Sequence, residues 1–171
     1  MSYTSAMRAL HDEVVSARTQ FPRPSHTLIA LAEEYGELAE ALLDKHGKER
    51  VQAEALQVAA VAIRFFEEGD DDYGVKPHAE NYTPGPVPPN DLTMSLIKNV
   101  FIRRSQMLDD SPPFFLSLTL SHGKIASEIA TSLSYGLEDV FHETARFAAI
   151  ETAVAALLIY ERGDDRYPQD A

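Results

Sequence analysis

An all-α fold is predicted for this chain on three observations. Apolar residues recur every three or four positions through most of its 171 residues, the spacing of a helix face that packs on a core. No stretch shows the strict alternation of a half-buried strand. The C-terminal part repeats the helical pattern of the N-terminal part, so one helical unit is used twice.

The elements follow in order. Ser5 to Gln20 carries Met7, Leu10, Val14, Val15 and Ala17 at helical spacing, and Phe21-Pro22-Arg23-Pro24 ends it. Ser25 is placed to cap the next helix. Thr27 to Lys45 has Leu28, Leu31, Leu38, Ala39 and Leu42 on one face, and His46-Gly47 stops it. Glu49 to Glu68 has Leu56, Ala59, Ala60, Ile63 and Phe66 as its stripe, with Gly69 as its C-terminal cap. Residues 70–92 hold five of the ten prolines and no apolar period. They read as a linker running over the surface. Asp91 is placed to cap a helix from Leu92 to Leu108. Phe115 to Ser134 and Leu137 to Arg162 follow, separated by Ser111-Pro112-Pro113 and Tyr135-Gly136.

The repeat is sharpest at one helix end. Glu67-Glu68-Gly69-Asp70-Asp71-Asp72-Tyr73 returns 94 residues later as Glu161-Arg162-Gly163-Asp164-Asp165-Arg166-Tyr167. Carried back over Glu54–Tyr73 and Ala148–Tyr167, that offset gives eight identities in 20 positions. The middle helix repeats at an offset of 91, Glu37-Leu38-Ala39 against Glu128-Ile129-Ala130. A helical hairpin alone cannot bury its apolar face. Two such units about a pseudo-twofold axis give a four-helix-bundle core with two flanking helices. The expected organisation is a first repeat (1–69), a linker (70–92) and a second repeat (93–171), packed as one domain.

Composition narrows the function. Lysine and arginine number 15 against 27 aspartates and glutamates, a net charge of −12. Such a balance argues against binding a nucleic-acid polymer or an anionic membrane. A small anionic substrate remains open where a divalent cation bridges the charges. With no cysteine, thiolate ligands and cysteine nucleophiles are excluded. The longest apolar runs, Val58 to Ile63 and Ala153 to Tyr160, are far short of the roughly 20 residues that span a bilayer. A cytoplasmic protein is expected.

The second helix concentrates acid. Glu33, Glu34, Glu37 and Glu40 fall within two turns, and Glu34 and Glu37, at i and i+3, share one side beside the apolar stripe. Like charges at that spacing repel, and Mg²⁺ is a natural compensator because it takes carboxylate oxygens and bridges to phosphates. Glu54 and Gln57 have the same spacing on the third helix. Two adjacent antiparallel helices bring the pairs face to face, which is how bundles build metal sites. Glu33, Glu40, Glu67 and Glu68 read instead as a solvated face.

Glu33-Glu34-Tyr35-Gly36-Glu37, then 16 residues, then Glu54-Ala55-Leu56-Gln57, resembles the EExxE…ExxD signature of the MazG-like, all-α nucleoside triphosphate pyrophosphohydrolases, which include the dimeric dUTPases. The resemblance covers about residues 20–70. It implies Mg²⁺-dependent (or Mn²⁺-dependent) hydrolysis of a nucleoside or deoxynucleoside triphosphate to the monophosphate and pyrophosphate. Glu34, Glu37 and Glu54 then fall on metal ligands, and Gln57 falls where the family has an aspartate. Glutamine offers one neutral oxygen, so the site loses a unit of negative charge. Glu33 falls on an outer carboxylate that orients the attacking water as base.

In the second repeat, Lys124, Ile125, Glu128, Ala148 and Glu151 occupy the positions of those five residues. Two carboxylates make no second centre, and this half reads as a degenerate copy that packs the bundle. Lys45, Lys48 and Arg50, read as loop residues, and Arg64 are taken as solvated charges with a minor claim on phosphates. His26, His122 and His142 are taken as capping or surface groups. Tyr73, His78, Asn81 and Tyr82 of the linker are weak candidates for contact with a base. The rival reading is a catalytically weak or inactive MazG-like binding or regulatory module. A third is a helical scaffold whose acids only solvate it. The chain is expected to be a monomer or a homodimer.

Overall fold

A computed structural model of the chain describes residues 3–78, 91–106, 114–136 and 138–164. Six helices follow one another: α1 (Tyr3–Gln20), α2 (Thr27–Leu43), α3 (Lys48–Glu68), α4 (Asp91–Gln106), α5 (Phe114–Tyr135) and α6 (Glu138–Arg162). A 3₁₀ turn, Asp71–Tyr73, follows α3. No strand forms among the described residues, where Asp70 and Val75 make an isolated bridge. The all-α expectation holds.

α3 and α6 lie against each other at the centre. α2 packs on α3 and α5 on α6, with α1 flanking α3 and α4 flanking α6. Sequence explains the central pair. From Ala55 to Phe66, α3 buries all but Leu56 and Gln57, and α6 buries nearly all of Ala145 to Tyr160. A helix apolar all round belongs in the interior. Ala59, Ala62, Ala149, Ala153 and Ala156 are fully buried, and such small side chains permit close helix approach. Tyr35 of α2 ties the halves by stacking on His122 and Phe115 of α5, with centroids 4.7 and 5.5 Å away. None of the helices is long and apolar enough to cross a membrane, among the described residues.

The repeated Gly-Asp-Asp segment has a structural task that the sequence did not disclose. The Leu28 N–H donates to Asp70 Oδ2 at 2.7 Å, and the Phe115 N–H donates to Asp164 Oδ2 at 2.7 Å. Each aspartate thus satisfies an orphan donor at the start of the second helix of its own half. Ser25 is therefore not the cap. His26 takes that place in a left-handed conformation (φ 63°) with no side-chain capping bond. Its backbone N–H donates to Asp72 Oδ2 at 3.0 Å.

The start of the expected linker is also part of the fold. Asp70 is buried and exchanges both backbone hydrogen bonds with Val75, at 2.8 and 2.9 Å. The His78 N–H donates to the Glu67 carbonyl at 2.9 Å, and its ring tilts against Phe66. Tyr73 packs half-buried on the core. Residues 79–90 lie outside the described residues, and Asn81 and Tyr82 with them.

Glu67, Glu68 and Arg64 do not form a solvated face; they are buried. Arg18 of α1 pairs with Glu67, and its Nε donates to Glu68 Oε1 at 2.6 Å. Arg64 donates to Glu68 Oε2 at 2.8 Å and to the carbonyls of Ala17 and Phe21 at 3.1 and 2.7 Å. Buried carboxylates need such partners. The corresponding contact in the second half joins Arg104 of α4 to Glu161 of α6. His142 is likewise buried, its Nε2 3.0 Å from Ser132 Oγ.

Candidate functional site

α2 and α3 run side by side, and their helical periods decide what they share. Leu31, Leu38 and Leu42 turn into the core. Glu33, Glu34 and Glu37 therefore lie at the flank, where α2 faces α1 and α3. There they line a cavity of about 630 Å³ together with Gln57, Glu13, Arg64 and the 21–26 loop. Four of the five residues singled out from sequence thus share one cavity wall. The fifth, Glu54, is not on the lining. It is buried beside it, at 1 % exposure.

The electrostatics of this wall are set by crowding. The Glu34 carboxyl is raised to about 7, first by burial and then by the negative charges of Glu54, Glu37, Glu33 and Glu13. Burial also raises Glu54, opposed by Arg50 and reinforced by Glu37. Glu37 is close enough to bond with Glu54, but only if one of the two holds a proton. Glu54 Oε2 has no hydrogen-bond partner. Burial raises Glu13 as well. Glu13 comes from α1, far away in sequence, so helix spacing gave no sign of it.

Arg50 occupies a position that the sequence did not suggest. α3 begins at Lys48, so Arg50 sits in its first turn rather than in a loop. Its Nε lies 2.7 Å from Glu54 Oε1, and a terminal nitrogen lies 3.0 Å from Glu37 Oε2. The i, i+4 spacing to Glu54 was a legible signal for this pairing; the reach across to α2 was not. Arg64, expected to be solvated, also lines the cavity while fastened to Glu68.

The donors fit a hard divalent cation by type, since all are oxygens, and Glu54 contributes an oxygen with no partner. They do not close around one as they stand. No three His, Cys, Asp or Glu side chains converge among the described residues.

Phe21 and Ile29 are exposed on the same lining, with Pro22, Arg23 and His26.

The corresponding region of the second half also has a cavity, of about 550 Å³. Arg103, Lys124, Ser117, Ser121 and Glu151 line it. Ile125 and Ala148, at the places of Glu34 and Glu54, are buried in the apolar core. Comparison of the chain with family models, curated proteins and solved structures returns no match.

Proposed function

We propose that the chain is a cation-dependent pyrophosphohydrolase of the MazG-like kind. It converts a nucleoside or deoxynucleoside triphosphate to the monophosphate and pyrophosphate, with Mg²⁺ or Mn²⁺ held by Glu34, Glu37, Glu54 and Gln57. One observation carries the reading. Glu54 is 1 % exposed, keeps an unpartnered carboxylate oxygen, and lies within electrostatic reach of Glu34 and Glu37. Buried negative charge in that arrangement is costly without a cation.

When bound, such a cation neutralises phosphate oxygens and lowers the pKa of an attacking water. Glu33, exposed on the cavity wall, would be the base that accepts a proton there. Gln57 contributes a neutral amide oxygen. The cavity of about 630 Å³ suits a ligand of nucleotide size. Phe21 and Ile29 on its lining give a base an apolar surface to lie on. In this reading the chain acts in the cytoplasm on a small molecule, as a monomer or homodimer.

A second reading is favoured by Arg50. Its guanidinium already neutralises Glu37 and Glu54, and Gln57 lacks the charge of an aspartate. On that view the chain is an inactive binding or regulatory module. Pyrophosphate release from a panel of NTPs and dNTPs with Mg²⁺ or Mn²⁺ separates the two. The enzyme reading expects cation-dependent release by the wild type and none by Glu37→Gln. Folded wild type that releases nothing from any nucleotide rules the enzyme reading out.

A further inference from the structure

We propose that Arg50 is a built-in competitor for the cation, and that it must let go of Glu37 and Glu54 for the acidic cluster to close. The inference rests on the cation reading above and concerns how that site is regulated.

Glu37 is on α2 and Glu54 on α3, and one guanidinium holds both, at 3.0 and 2.7 Å. A planar fork of this kind fixes two carboxylates toward itself. As the structure stands, no three acidic side chains converge among the described residues, and the two that Arg50 holds are two of the proposed ligands. A hard divalent cation needs several oxygens at once. It also repels a guanidinium held on the same two carboxylates. Arg50 and the cation therefore exclude each other at Glu37 and Glu54.

Burial decides which partner moves. The Arg50 side chain is 53 % exposed and that of Glu54 is 1 % exposed. Arg50 can turn its charge into water, where it stays solvated, and the pair it leaves at Glu37 is exposed on both sides and weak. Glu54 has no such exit, and its second oxygen already lacks a partner. The exchange keeps the buried carboxylate compensated in either state. It also sets a threshold, so that the site fills only when the cation outbids a charge tethered one helical turn away. Gln57 works in the same direction, since the cluster draws the cation with one charge less.

The test compares wild type, Arg50→Gln and Arg50→Lys in calorimetric titrations with Mn²⁺. It also follows the Arg50 Nε–H by NMR while Mg²⁺ is added. Arg50→Gln should bind Mn²⁺ roughly tenfold more tightly than wild type, the weight of a hydrogen bond between charged groups. Arg50→Lys keeps the charge but loses the fork, and should fall between them. A long-range charge effect alone would leave Arg50→Lys at the wild-type value. The Nε–H signal, set by the Glu54 carboxylate 2.7 Å away, should shift as Mg²⁺ saturates the site. Without cation, Arg50→Gln should be less stable than wild type, and Mn²⁺ should restore it. Equal or weaker Mn²⁺ binding by Arg50→Gln overturns the inference and leaves the cation site standing. So does an Nε–H signal that stays unmoved at saturating Mg²⁺. Failure of all three proteins to bind Mn²⁺ removes the cation reading itself, and this inference with it.

Discussion

In the first half the Leu28 N–H rests on Asp70, and in the second the Phe115 N–H rests on Asp164, each at 2.7 Å. Arg18 meets Glu67 in one half and Arg104 meets Glu161 in the other. The joints that hold three helices together are thus alike. The cavity walls are not. Glu33 faces Lys124 in the comparison, Glu34 faces Ile125, and Glu54 faces Ala148. Helix packing depends on apolar faces and caps, which both halves keep. Chemistry depends on a few flanking side chains, which can change without disturbing the fold. Among the described residues the first half's cavity wall carries Glu33, Glu34 and Glu37 beside buried Glu54, and the proposed reaction is placed there.

The strongest way to break this comparison is to remove acids from each half in turn. Glu34→Gln or Glu37→Gln should lower pyrophosphate release by about a hundredfold or more, since even outer partners of a metal site are worth 10- to 100-fold. Glu128→Gln and Glu151→Gln should leave it within about twofold, because those acids lack a buried neighbour of the Glu54 kind. Equal losses in both halves would erase the distinction.

The next contrast concerns stability. Gly69 has φ 74° and ψ −150°, and a Cβ there would meet the Val75 carbonyl oxygen at 2.0 Å. That backbone region is essentially reserved for glycine. Gly69→Ala should cost about 3 kcal/mol in urea unfolding. Gly163 shares the positive φ, at 77°, so Gly163→Ala should also be strained, by about 1 kcal/mol or more.

Much of this architecture was legible in the sequence, and the parts that were not share a cause. Helix positions followed from local spacing and from stop signals such as Phe21-Pro22-Arg23-Pro24 and Gly69. The clustering of Glu34, Glu37 and Gln57 followed from i, i+3 spacing on neighbouring helices. The caps did not follow, because Asp70 serves a helix that begins 43 residues earlier. The burial of Glu67, Glu68 and Arg64 was missed for the same reason. Charges at a helix end look solvated until Arg18, from another helix, is seen to cover them. Arg50 was misread because its second partner lies on α2.

Smaller effects sharpen the comparison further. Asp70→Ala and Asp164→Ala should each cost about 1–2 kcal/mol by loss of a helix cap. Thermal melts of the two variants side by side check that both halves depend on this joint.

pH separates the halves as well. Between about 4.5 and about 7 the folded chain keeps a proton on Glu34 that the unfolded chain has released. The native state binds more protons there, so stability without cation falls as pH rises across that window. Urea midpoints measured across it should decline for wild type and decline less for Glu34→Gln, since burial raises Glu54 and Glu13 as well. Gln57→Asp gives the smallest change, raising Mn²⁺ affinity by about threefold through one added charge.

One half of the molecule, and not the other, is proposed to hold a divalent cation. Mn²⁺ titration of wild type, Glu54→Gln and Glu151→Gln at one pH tests this most directly. Wild type should bind the cation, Glu54→Gln should lose it, and Glu151→Gln should retain it. Undiminished binding by a folded Glu54→Gln, or no binding by wild type, would contradict that proposal.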